Sequence, residues 1–289
     1  MFKGAFAPIP TPFLDGEIAF DKLAENLERW VATDLAGIVV LGSNGEFALL
    51  ARQEKEALIA AVCEKVAGRK QVLAGTGCES TAETIALTQR AGALGADGAL
   101  VVTPHYYKGA MTDSALKAYF TAVADAAPIP VLLYNMPRNT GINMSSDLVL
   151  ELANHPNIVG IKDSSGNVVQ MAEIVNGAPE GFAVFAGSGS FLLPSLAVGA
   201  VGGTMAVANV LPNECARIIT LFEAGQMAEA RALQLKILAL NRAVTVGWGV
   251  AGLKAALDLR GFFGGDPRPP LLPLGAVARK ELAVLLEKF

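Results

Sequence analysis

Lys162 closes the apolar run NIVGIK (157–162) and is followed at once by DSSGN. A lysine at the inner end of a buried strand is costly unless its charge is neutralised or used. One use is covalent: an uncharged amine attacks a ketone and forms a Schiff base. The structural reading is a lysine that snorkels to a loop surface or pairs with Asp163, and local sequence weighs the two about equally. Tyrosines stand at the ends of two other runs, Tyr106 and Tyr107 in TPHYYKG (103–109) and Tyr134 in YNMPRNTG (134–141). A tyrosine hydroxyl beside a lysine amine can shuttle protons. Taken singly, each is equally well a core or interface residue with one hydrogen bond. The loop GSNGEFALL (42–50) presents Ser43 and Asn44 at a helix start, where backbone N–H groups can bind a carboxylate. A plain capped turn is the commoner case for such a loop. Glu46 within it reads as a cap or brace, not a reacting group. Arg138 offers a charge for an anionic substrate, or is a surface arginine. The turn AGSGS (186–190) leaves room for a substrate or simply starts a helix.

Those residues need a frame that brings run ends together. Eight short apolar runs lie at 4–9, 37–42, 71–75, 98–103, 130–135, 157–162, 182–187 and 200–205. They are nearly continuous in apolar residues, as parallel strands covered on both faces should be. The last is the weakest, diluted by Gly202 and Gly203. Helix-like segments alternate with them at 20–34, 52–66, 80–95, 112–126, 145–153, 166–176 and 190–198, and Ser80 with Glu83 forms a capping-box pattern. This series predicts an α/β fold, a closed TIM (β/α)8 barrel, more than an open sheet. In such a barrel the chemistry sits at the C-terminal strand ends, where Lys162 and Tyr134 fall. From 213 to 260 the chain reads as helices without strands. A proline-rich connection (264–275) and a final helix (276–288) follow. The expected organisation is a barrel over 1–210 and a C-terminal helical region over 211–289 packed on it.

The composition narrows the chemistry. With 52% hydrophobic and 17% charged residues the chain is not disordered. A net charge of −4 gives no electrostatic case for nucleic acid or an anionic membrane surface. Two histidines cannot build a histidine-rich metal site, and three scattered cysteines make no disulfide framework. There is no Walker A sequence, and GSGS is not a dinucleotide fingerprint. The N-terminal apolar run is too short for a signal peptide, and no run reaches membrane-spanning length. The expectation is cytoplasmic small-molecule chemistry.

In this order, GSNGE (42–46), TPHYY, YNMP..TG, GIKDSSG (160–166) and AGSGS resemble one superfamily over essentially the whole chain. It is the dihydrodipicolinate synthase and N-acetylneuraminate lyase group, pyruvate-dependent class I aldolases on a TIM barrel. The resemblance implies that Lys162 forms the Schiff base with a pyruvate unit and that Tyr134 transfers protons. It implies that Ser43 and the Asn44 backbone hold the carboxylate, and that Tyr106 reaches into a neighbouring subunit's site. Gly187 and Ser188 would line the substrate cavity, with Arg138, Asn139 and Gly203 also counted as substrate-binding. No metal and no organic cofactor is implied, and the assembly is a homotetramer built as a dimer of dimers.

Dihydrodipicolinate synthases typically carry an arginine five residues after the tyrosine and the loop GTTGE. Here the fifth residue is Asn139, Arg138 stands one earlier, and the loop is GSNGE. AGTGCEST (74–81), HPNIVGIKDS (155–164) and GVAGLKAALDLRGFFGG (249–265) look more like 4-hydroxy-2-oxoglutarate aldolase. The expected reaction is therefore cleavage of 4-hydroxy-2-oxoglutarate to pyruvate and glyoxylate. The alternatives are condensation of pyruvate with aspartate semialdehyde, as in the synthases, or pyruvate release from a 2-keto-3-deoxy sugar acid or oxaloacetate. From another class, the alternative is a non-catalytic small-molecule-binding barrel.

Overall fold

A computed structural model describes residues 2–289. Eight parallel strands form the barrel: β1 Gly4–Pro8, β2 Gly37–Val40, β3 Gln71–Gly75, β4 Gly98–Val102, β5 Val131–Asn135, β6 Ile158–Asp163, β7 Ala183–Ala186 and β8 Gly202–Thr204. Each pairs with its neighbours in the chain, and β1 closes the ring between β8 and β2. The expected barrel with a helical extension is the fold observed. The glycine-diluted last strand is the shortest of the eight, three residues long, yet it closes the ring. The helix from Thr81 starts on Ser80, whose hydroxyl accepts from Glu83 N–H. The reciprocal half of the predicted box is not made, because the Glu83 carboxylate takes a hydrogen bond from Arg52. A short hairpin, Phe13–Leu14 with Glu17–Ile18, is an addition the sequence pattern did not announce.

Alternating side chains divide the core in two. Phe6, Val39, Leu73, Leu100, Leu132 and Phe185 fill the barrel interior, while the larger cluster lies between strands and helices. Phe6 and Phe185 meet edge to face at 5.6 Å, and Phe2 packs on Phe6 from the N-terminal side. One end of the barrel is therefore solid hydrocarbon.

At the other end, register decides the chemistry. Val131 pairs with Ile158, but Leu132 pairs with Gly160, so β6 carries one extra residue against β5. A one-residue slip moves every later side chain to the opposite face. Without that irregularity Tyr134 would face Ile161; with it Tyr134 pairs with Lys162, which in turn pairs with Phe185 of the interior. The bulge thus turns Lys162 into the barrel and leaves Ile161 in the outer hydrophobic layer.

After β8 come helices Pro212–Glu223, Met227–Arg242 and Gly249–Leu259, the tail, and helix Ala276–Leu286. Between the second and third, Ala243–Gly247 forms a π-helical turn, closed by Trp248 N–H to Ala243 O at 2.9 Å. Trp30, fully buried, stacks on Phe262 and donates to Asn209 O. Asn26 exchanges two hydrogen bonds with the Phe263 backbone. The extension is thereby fixed to the first helix of the barrel. Among the described residues, no helix is long and apolar enough to cross a membrane.

Candidate active site

Lys162 and Tyr134 sit side by side at the C-terminal mouth, 4% and 5% exposed. The amine lies over the tyrosine ring, 4.0 Å from its centroid. Burial would push the Tyr134 hydroxyl up, but the Lys162 charge and the Ser43 hydroxyl outweigh burial and hold it below the ordinary tyrosine value. A phenol lowered in this way exchanges a proton with a neighbouring amine or carbon acid more readily than a free one.

The loop after β2 approaches from the side. Ser43–Gly45 makes one 3-10 turn, flanked by Leu41 and Glu46, both in left-handed backbone conformation (φ 61° and 58°). Non-glycine residues held there cost on the order of 1–3 kcal/mol each and persist where the surroundings over-determine them. The turn brings Ser43 Oγ to a long contact of 3.4 Å with the Tyr134 hydroxyl. Asn44 Nδ2 donates to Pro8 O, and Thr11 Oγ1 donates to Gly45 O.

These groups open on a cavity of about 130 Å³. It is lined by Lys162, Tyr134, Ser43, Asn44, Arg138, Asn139 and Gly187, so seven of the expected site residues come together. Among the described residues its lining holds two cations and no carboxylate, a balance suited to an anionic substrate. Arg138 is held at its rim by a 3.4 Å bond from Nη2 to Thr245 O. A neighbouring, largely apolar cavity of about 370 Å³ shares Ser43, Tyr134 and Asn139 but does not reach Lys162.

Three expected residues lie elsewhere. Tyr106 is 77% exposed and lines neither cavity. Ser188 turns to its own helix start, accepting from Ser190 N–H and from Asn241 Nδ2. A Cβ at Gly203 would meet Met205 and Leu192, the packed side of β8; the next residue, Thr204, faces the cavity instead.

The structure also adds residues. Ser164 Oγ is buried in the lining without a hydrogen-bond partner. Gly187 makes room for it, since a Cβ there would lie 1.9 Å from that oxygen. The SSG after Lys162 was the available signal. Val244, Thr245 and Val250 form a wall contributed by the π-helical turn and the helix after it. Such turns gather at functional sites, but their sequence reads as ordinary packing. No group of three or more His, Cys, Asp or Glu among the described residues could hold a metal ion.

The dihydrodipicolinate synthetase family model matches residues 1–289. The 4-hydroxy-tetrahydrodipicolinate synthase of Geobacter metallireducens is 39% identical, covering 100% of this chain and 99% of that protein. The crystal structure of a dihydrodipicolinate synthase from Bacillus anthracis superposes with a TM-score of 0.96 at 33% identity, over 100% of this chain and 99% of that one. A prophage protein of the same family from E. coli K12, solved in complex with pyruvate, gives 0.94 at 30% identity, covering 100% and 98%. These findings overturn the narrower resemblance to 4-hydroxy-2-oxoglutarate aldolase, and the glyoxylate-releasing reaction expected from it falls as well. The motifs that suggested it were local, and two of the deciding positions, Asn139 and Asn44, sit in single helical turns that follow strands. Similarity along the full length points to the synthases.

Proposed function

Because the chain belongs to the dihydrodipicolinate synthetase family, we propose that it condenses pyruvate with aspartate semialdehyde through an imine on Lys162. Membership makes it a pyruvate-dependent carbon–carbon lyase whose catalysis runs through a lysine Schiff base and calls for no cofactor. The observation that carries the assignment to Lys162 is its place. It is a buried amine over Tyr134, in a cavity lined by cations and hydroxyls.

Ser43 and the Asn44 backbone seat the pyruvate carboxylate and hold the keto carbon within reach of Nζ. The amine adds to C2, and loss of water gives the iminium. The iminium withdraws electrons, C3 gives up a proton to the Tyr134 phenolate, and an enamine forms. Its carbon attacks the aldehyde carbon of the semialdehyde, whose oxygen takes a proton. The semialdehyde's own amine then adds to the iminium carbon and expels Lys162. The ring closes, and one water has left overall. Arg138, at the rim, is placed for the carboxylate of the second substrate.

Tyr106 and Tyr107 meet edge to face at 5.0 Å on the exposed surface, which supports a role for Tyr106 in a neighbouring subunit's site. The assembly we infer is the tetramer built as a dimer of dimers. Dilution to monomers should then abolish turnover.

Borohydride with pyruvate should leave a secondary amine on Lys162, and pyruvate should be consumed with aspartate semialdehyde at a rate that saturates in both. Trapping without consumption of the semialdehyde would keep the imine and discard the second substrate. Trapping at another lysine would discard the site.

A further inference from the structure

We propose that the buried Glu46–Lys254 ion pair is a positioning device for the pyruvate carboxylate, by which the C-terminal extension holds the Ser43–Asn44 turn in shape. The inference rests on that turn being the carboxylate seat.

Glu46 directly follows the turn; it does not line the Lys162 cavity but the neighbouring apolar one, and its side chain reaches the extension. Its carboxylate meets Lys254 Nζ at 2.6 Å, with both side chains essentially sealed from solvent, 0% and 1% exposed. The second carboxylate oxygen accepts from Arg268 N–H at 2.7 Å. Lys254 also donates to Asp266 O at 2.9 Å and lies over the Phe13 ring at 4.5 Å. One carboxylate therefore ties the loop after β2 to a helix and a tail more than 200 residues away.

Stability alone does not account for this arrangement. Two charges taken out of water lose hydration that their attraction hardly restores, and well-packed apolar residues do as well or better. What such a pair adds is geometry. The geometry needed here is unusual, because Glu46 sits at φ 58°, a conformation its surroundings must impose. The ties of the turn from Thr11 and Asn44 fix its β1 side, and towards β5 it has, among the described residues, only the long Ser43–Tyr134 contact. On the helix Gly249–Leu259, Val250 lines the cavity and Lys254 stands four residues on, along the same face. The pair therefore sets the distance between the carboxylate seat and the wall opposite. Glu46 and Lys254 touch no reacting atom, so they are positioning residues.

The test is the pyruvate dependence of Lys162 trapping by borohydride, read beside the thermal midpoint, in the Glu46→Gln/Lys254→Met double variant. Removing both charges leaves no unpaired ion, so the fold should hold. Half-saturating pyruvate should rise about tenfold while trapping at saturation stays near wild type. The Glu46→Gln/Lys254→Gln double variant, which keeps polar ends in place of both charges, gives a second reading should the first double variant not fold. Ser43→Ala separates the two levels. If it leaves half-saturation unchanged, the seat is elsewhere and the inference goes with it. If it raises half-saturation but both pair variants stay within twofold of wild type, the seat stands and the inference alone is overturned. In the triple variant the effects should be less than additive, because they act on one turn; full additivity would also overturn it.

Discussion

Lys162 and Lys254 are both buried, and each lies over an aromatic ring, Tyr134 in one case and Phe13 in the other. Their remaining neighbours differ. Lys254 has a carboxylate and a carbonyl, and although burial pushes its amine down, Glu46 partly opposes that shift. Lys162 has no carboxylate partner among the described residues; its neighbours are hydroxyls and a cavity. An amine whose needs are met by the protein is a strut. An amine buried at a strand end, short of protein partners and facing a cavity, is placed to meet a substrate.

The comparison breaks most visibly if Lys162 proves dispensable. Lys162→Ala should remove borohydride trapping and lower turnover on the order of 10⁴-fold or more, as loss of a covalent nucleophile does elsewhere. Turnover within tenfold of wild type would make Lys162 a strut like Lys254. Tyr134→Phe comes next, with a loss of about 10²–10⁴-fold in the rate of condensation. It should also change the pH profile. Because the hydroxyl is held below its ordinary value of 10.0, the ascending limb caused by its ionisation to the proton-accepting phenolate should lie below that pH, and the variant should lack it. An unchanged limb would assign it to another group.

A smaller effect tests the unfilled space itself. In Gly187→Ala the new Cβ would overlap Ser164 Oγ and crowd Asp163 O at 2.7 Å. Overpacking of this kind costs about 1–3 kcal/mol, seen as a lower unfolding midpoint. Adding Ser164→Gly should recover much of it. If the double variant is no better, the backbone contact is the obstacle and the room was not made for the hydroxyl.

Much of this was legible in the chain. Apolar runs and helical periodicity place all eight strands, because a barrel strand is buried on both faces and cannot hide its composition. Lys162 and Tyr134 stand out as polar groups at the ends of such runs. The bulge that turns Lys162 inward was not legible, since Val159 and Gly160 look like any other strand residues. Nor was the role of Lys254, which sits in GLKAALDLRG as an amphipathic helix lysine would. Its partner is 208 positions earlier, and only the fold brings them together. Glu46 reads as a cap or a brace, but the sequence does not say against what. The choice of aldolase failed for a related reason: residues of the short turns after the strands, such as Asn139, answer to local demands, while family membership is spread over the whole length.

The smallest effect is expected on the outer side of the same junction. There Arg268 binds Glu54 through both guanidinium nitrogens at 2.7 Å, in partial contact with solvent. The Arg268 hydrogen bonds hold the Glu54 carboxyl below its ordinary 4.5. A carboxyl lowered on folding adds stability that is complete above 4.5 and is lost as the pH falls through its folded value. Glu54→Gln should therefore cost about 1 kcal/mol or less at pH 7, the range of partly screened pairs. It should cost nothing further once the pH lies below the folded value. Denaturant midpoints at the two pH values measure this directly. A loss of equal size at both would mean that the side chain contributes through packing and not through charge. A loss approaching that of unpairing Glu46 would erase the distinction between the sealed pair and the solvated one, on which the contrast between the two lysines depends.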